Sequence, residues 1–220
     1  QTGEMDVPPE RRLNEPLKRR FVLCIRDVIF MGIYAKSSTA MTFSLSTLQG
    51  LAYLEPHLIL PGALQRIYPS LQGLVEVHRT ASSLRAMTSL SRVISRTKGY
   101  RCHMTTLLGL TLPGIDANDL EKSLHALSFI QSACYNIPMV DLTKGRDDIN
   151  CNMLAMQWIS GEMERMEEQG SEVQLGYDTE LDDETEELIL RSSTCGFGDF
   201  TIAFLGRVFT LLENLSDVSR

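Results

Sequence analysis

Three long stretches of helical periodicity begin near Ala40, Arg79 and Ala117, 39 and 38 residues apart. A shorter apolar stretch and a turn follow the first two, and no alternating strand pattern separates them. A helix pair of that length cannot bury its apolar stripe alone. Consecutive pairs must therefore stack, and the chain grows as a solenoid rather than closing on itself. A compact helical bundle is the rival arrangement.

The order of signals along the chain fills in this frame. Gln1 to Pro16 holds three prolines and alternating charges, which predicts a flexible N-terminal tail over 1–16. From Leu17, Phe21, Cys24, Ile25, Val28, Ile29 and Gly32 recur at spacings of three and four, one stripe of an amphipathic helix. Ser37-Ser38-Thr39 breaks it, and Ala40–Leu54 forms the next helix, ended by Glu55-Pro56. Leu58 to Leu71 reads as a short antiparallel return, and Arg79–Thr97 as a long helix stopped by Gly99. Cys102–Leu112 answers it, and Asp116 is the expected cap of the helix carrying Leu120, Leu124, Leu127 and Ile130. Met153–Met166 is a further helix. Glu162–Glu187 then holds twelve acidic residues against the single Arg165, which predicts a mobile acidic loop over 161–187. The closing segment over 188–220 carries a last helix from about Phe197 to Leu215, using Phe200, Ala203, Phe204, Val208, Leu211 and Leu212. The expected fold class is all-α: an α-solenoid of HEAT-like helix pairs over 17–160, with array ends that look uncapped.

Composition narrows the function classes. The chain of 220 residues is 43% hydrophobic and 22% charged, too apolar for disorder. No apolar run reaches the roughly 18 residues of a membrane helix, and the best candidate, Phe21–Tyr34, is broken by Arg26 and Asp27. The chain opens Gln-Thr-Gly-Glu with no signal-peptide core, and it reads as an excised segment of something longer. Its cysteines at 24, 102, 134, 151 and 195 include no CxxC pair for zinc and no disulfide framework. Residues 1–110 carry 14 Lys/Arg and 7 Asp/Glu, a balance of +7. Residues 111–220 carry 7 and 21, a balance of −14. The two halves either attract each other or face different partners.

Reactive constellations are missing from the sequence. There is no phosphate-cradling GxxxxGK[ST], HExxH or GxSxG pattern. Gly196 and Gly198 follow no strand and read as a helix-entry turn. Cys102 and His103 are adjacent, and neighbours on a helix point about 100° apart, so they read as structural. Asp147, Asp148, Asn150 and Asn152 lack the spacing of a calcium loop. The informative charge pattern is Arg85, Arg92 and Arg96. At i, i+7 and i+11 they fall within about 40° of one another on a helix. From Arg79 to Arg101 there are six basic residues and no acid. Guanidinium forks bind phosphate oxygens in pairs, so this face is the candidate polyanion site. The plainer reading is that these side chains solubilise an outer face or pair with the acidic loop. No metal or catalytic site is expected, and no element for direct nucleic-acid reading.

Three stretches are more specific. Leu51-Ala52-Tyr53-Leu54-Glu55-Pro56 runs through Leu60-Pro61 to Leu64-Gln65-Arg66-Ile67-Tyr68-Pro69-Ser70-Leu71. Leu112-Pro113-Gly114-Ile115-Asp116-Ala117-Asn118-Asp119-Leu120 and Ile137-Pro138-Met139-Val140-Asp141 follow. This succession resembles the middle HEAT-repeat region of the large single-chain proteasome activators, over roughly Leu45–Leu215. The resemblance implies a dome-shaped superhelix that caps the core proteasome and is not an enzyme. It further implies gate opening through a C-terminal tail, and ubiquitin-independent degradation of unfolded or acetylated proteins. Residence in nucleus and cytoplasm, a link to DNA repair, and inositol polyphosphate as a ligand of the whole protein are also implied. The family's tail motif is not present at Ser219-Arg220, and its acetyl-lysine-recognising region lies outside the match, so no functional residue is carried over.

The expected function is thus a segment of a proteasome activator, with the core proteasome as partner and no membrane partner. The alternative is a HEAT-repeat scaffold or nuclear transport-type adaptor. That adaptor would hold a basic partner segment against the acidic run.

Overall fold

The computed structural model describes residues 8–73, 77–137, 153–169 and 181–218. Asn14 opens α1 (Glu15–Gly32), its side chain accepting the Leu17 N–H at 2.9 Å, with Pro16 where no amide donor is needed. The helix therefore begins inside the expected tail. It buries Val22, Arg26 and Phe30, while Phe21, Cys24 and Val28 of the expected stripe face outward. Apolar residues occupy most of its circumference, so periodicity alone could not choose the buried face.

Ser37 caps α2 (Ser38–Leu54), which buries Leu45, Leu48, Leu51 and Ala52. Gly32 lets α1 and α2 cross closely, because a Cβ there would lie 2.1 Å from the Ser44 hydroxyl. Beyond Glu55, α3 (Pro56–Gln72) is a full 17-residue helix in place of the expected short return, and it contains Pro61 and Pro69. It persists because much of its surface is core, with Leu58, Ile59, Leu60, Pro61, Leu64 and Ile67 all buried. Arg66 stacks on Phe30 of α1, 4.5 Å from the ring centre.

The central helix is α4 (Val77–Ile94), packed among α2, α3 and the later α6. Leu84, Met87, Leu90 and Ile94 are fully buried. Its buried serines bond across the interfaces: Ser83 with Ser70 at 2.6 Å, and Ser91 with Ser132 at 2.6 Å. A turn over 95–102 leads to α5 (His103–Thr111), and a 3-10 turn at Leu112–Gly114 leads towards α6 (Leu120–Asn136). Asp119, not Asp116, caps α6 by accepting the Lys122 N–H at 3.0 Å. Asp116 instead accepts from the Asn118 N–H at 2.9 Å within the preceding turn. The long helices α2, α4 and α6 start 39 and 43 residues apart and lie side by side as one layer of an α-solenoid.

The last three helices depart from simple stacking. α7 (Met153–Gln169) and α8 (Asp183–Thr194) form a pair that packs on α3 and α5. The Ala155 N–H, unsatisfied in the first turn of α7, donates to Ser192 at 3.3 Å. Residues 161–169 and 183–187 are therefore helical, which shortens the expected acidic loop from both sides. Residues 170–180, together with Asp147, Asp148, Asn150, Cys151 and Asn152, lie outside the described residues. The expected last helix from about Phe197 is α9 (Phe197–Val218), and the closing segment also takes in the end of α8, parted from α9 at Cys195–Gly196. Among the described residues, Asp183–Asn214 is long and apolar enough to cross a membrane by length and composition alone. That corrects the sequence expectation, although the turn, Asp199 and Arg207 all interrupt the stretch.

Candidate functional site

The three arginines of the expected polyanion face have different fates. Arg85 is half-buried, its guanidinium 2.9 Å from Met41 Sδ and 3.4 Å from the Thr42 hydroxyl of α2. Arg92 is exposed on the last turn of α4. Arg96 is also exposed but lies beyond Ile94, in the turn, so the helical angle relates only the first two. Arg79 sits over the Tyr34 ring at 5.9 Å.

The other two basic residues of the run meet acid from the second half of the chain. Lys98 Nζ lies 2.5 Å from Asp183, and Arg101 lies 3.7 Å from Glu186. Between them Gly99 has φ 82°, a conformation that favours glycine, and its N–H donates to Glu186 at 2.8 Å. Its carbonyl accepts from the Trp158 indole N–H at 3.0 Å. Helices α7 and α8 thus hold both polar groups of one residue. This corner was hidden in sequence because its members lie 59 and 87 residues apart. The only signal was the opposite charge of the two halves.

Behind the corner lies a polar core. Cys102 donates to the Gly99 carbonyl at 3.6 Å. Burial, reinforced by the negative charge of Glu162 and Glu186, pushes its thiol up to about 12. A thiol so disposed stays protonated and unreactive. His103 turns away from it, with Nδ1 2.9 Å from the Tyr68 hydroxyl, and burial lowers its pKa to about 3. Burial raises the Tyr68 hydroxyl in turn. The neighbours Cys102 and His103 therefore share no proton, as the structural reading requires.

A cleft of about 480 Å³ lies between the Ile115–Asn118 turn and α9, with Asp116 and Arg207 on its walls. Hydrogen bonds from Asn118 hold the Asp116 carboxyl below the usual carboxylate range. Among the described residues, no three His, Cys, Asp or Glu side chains come together as a metal cluster. What the described residues leave open is an exposed arginine pair, Arg92 and Arg96, and apolar surface on α1 and α9.

The profile of the family described as proteasome activator complex subunit 4, mid HEAT repeats region, matches residues 1–220. Proteasome activator complex subunit 4 of Homo sapiens is 29% identical over 217 residues, covering 94% of this chain and 10% of that protein. Proteasome activator BLM10 of Saccharomyces cerevisiae is 26% identical over 195 residues, covering 85% and 9%. Proteasome activator subunit 4 of Arabidopsis thaliana is 24% identical over 172 residues, covering 70% and 9%. The chain spans about a tenth of the length of these relatives. It belongs to the proteasome activator subunit 4 family, and within that family to the mid HEAT-repeat region.

Proposed function

We propose that this segment forms part of the wall of a dome-shaped helical superhelix that caps the core proteasome, promotes gate opening and supports ubiquitin-independent degradation. It acts by binding rather than by making or breaking bonds. The observation that carries this reading is the family match across residues 1–220 on an all-α solenoid. Binding energy at the rim of the core particle shifts its gate towards the open state, a population effect that needs no reactive group in the activator. Unfolded or acetylated proteins are the proposed substrates, and nucleus and cytoplasm the proposed location.

The adaptor alternative requires a free acidic face. Among the described residues, four of the nine acidic side chains of the run are held in ion pairs within the chain. Glu162 pairs with Arg165, Asp183 with Lys98, Glu186 with Arg101 and Glu187 with Arg191. Those pairs narrow the acidic face open to a basic partner, leaving Glu164, Glu167, Glu168 and Glu184 on it among the described residues, which favours the activator reading.

Arg92 and Arg96 are the proposed contact for phosphate-rich polyanions, including inositol polyphosphate in the whole protein. Both are exposed and carry no ion pair among the described residues.

The test is to isolate the full-length parent from cells with an antibody raised to this segment. Core proteasome subunits and stimulated fluorogenic-peptide hydrolysis in the isolate are the expected result. Transport factors without proteasome would overturn the activator reading.

A further inference from the structure

At the turn after α4, three donors converge on two carboxylates of α8. They are the Lys98 ammonium, the Arg101 guanidinium and the Gly99 N–H, meeting Asp183 and Glu186 at 2.5 to 3.7 Å. A lysine, an arginine and a main-chain amide held at positive φ make an anion-binding corner. Its occupant here is a helix of the same chain. On the last turn of α4 and just beyond it, Arg92 and Arg96 stay exposed with no ion pair among the described residues. The basic run is therefore divided, with two cations neutralised from within and two left open.

The two contacts of α8 are unequal. The Asp183 side chain is 94% exposed, so its pair with Lys98 is held in water and exchanges readily. The Glu186 side chain is only 9% exposed and is fixed by the Gly99 amide. Lys98 lies only two residues beyond Arg96 in the turn after α4, so a polyanion held at Arg96 is close to a lysine already compensated by Asp183 and to the charge of that carboxylate.

We infer that α8 is a built-in competitor for this corner. Its Asp183 and Glu186 carboxylates hold down the affinity of the Arg92, Arg96, Lys98 and Arg101 face for phosphate-rich polyanions, and loosening α8 raises it. The inference rests on the polyanion reading of Arg92 and Arg96 and adds its regulation. Effectors that bind or modify α8 would then control anion binding without touching the arginines.

Tripolyphosphate titrated into the 220-residue chain at fixed ionic strength, followed by calorimetry, tests this. Trp158 is the only tryptophan and donates to the Gly99 carbonyl, so its emission reports the corner independently. Asp183→Asn alters an exposed side chain and leaves the fold alone. Glu186→Gln keeps an oxygen for the Gly99 N–H while removing the charge. The double variant is expected to bind about tenfold tighter than the parent, and Asp183→Asn alone part of that. Adding Arg92→Ala and Arg96→Ala should abolish the gain. Unchanged affinity in the Asp183/Glu186 variant, with binding still lost on removing the arginines, overturns the competitor role and leaves the polyanion site standing. No binding by any variant overturns both.

Discussion

Gly99 and Glu186 share one hydrogen bond, 2.8 Å from amide to carboxylate, that ties the basic half of the chain to the acidic half across 87 residues. Glu186→Ala would strand a buried N–H and leave Arg101 without its partner. The expected cost is about 2 kcal/mol. Glu186→Gln should cost less, since an acceptor remains. Gly99→Ala forces a side chain into the left-handed region at φ 82° and should cost about 1–2 kcal/mol. Urea unfolding followed through Trp158 measures all three. If Glu186→Ala changes stability by less than about 0.5 kcal/mol, the corner is not a structural joint.

Gly62 tests the packing of α3 on α1. A Cβ at this position would lie 2.6 Å from Phe30 Cε2, and Arg66 covers the same ring. The ring has little room to withdraw. Gly62→Ala gains about 1 kcal/mol of helix propensity and should lose about 1–3 kcal/mol to overpacking. A net loss is expected, and it should shrink in a Phe30→Leu background. Equal effects of Gly62→Ala in both backgrounds would mean that the ring moves aside freely.

Some of this architecture was legible and some was not, for identifiable reasons. The helix stop at Ile137-Pro138 marked the end of α6, but the expected stripe did not mark its buried face: Leu120 and Leu124 are exposed, while Ser123, Ala126, Phe129, Ile130 and Ala133 are buried. Its cap was misplaced by three residues, since Asp116 and Asp119 both fit a capping pattern and only the turn geometry separates them. Pro61 and Pro69 disguised α3, whose length is sustained by burial rather than by propensity. Glu162 reads as solvated when isolated in an acidic run, yet it is buried against Arg165. At the candidate site, the arginine spacing was visible in sequence. The partners of Lys98 and Arg101 were not, because ion pairs across 85 residues leave no local pattern.

His103 supplies a pH dependence. Its folded pKa is lowered to about 3 by burial, while the unfolded chain titrates near 6.5. Below pH 6.5 the unfolded state takes up a proton that the native state refuses. The stability it contributes is therefore complete above pH 6.5 and drains away as pH falls towards 3. Between pH 6 and 5 the expected slope approaches about 1.4 kcal/mol per pH unit. His103→Gln, which can still bond the Tyr68 hydroxyl, should flatten the curve in that window while lowering stability at pH 7. Denaturant midpoints at pH 5, 6 and 7 for both proteins decide it, and parallel curves would exclude His103 as the source.

The apolar faces left uncovered at the two ends of the array predict how the 220-residue chain behaves in solution. On α1, Leu17, Phe21, Cys24, Val28 and Met31 recur at spacings of four and three on the exposed side, with Met31 71% accessible. On α9, Ile202, Leu205, Phe209 and Leu212 do the same, with Phe209 61% accessible. Stripes of this spacing are what one helix offers another, and in water they drive association. Sedimentation velocity should show concentration-dependent self-association of the 220-residue chain. Because these side chains make few contacts within the fold, Val28→Lys with Met31→Glu, or Phe209→Lys with Leu212→Glu, should raise the monomer fraction. Urea midpoints should stay within the equivalent of about 0.5 kcal/mol. A chain that is already monomeric at high concentration would show that the stripes are too narrow to act. Variants that unfold would show instead that these residues belong to the core.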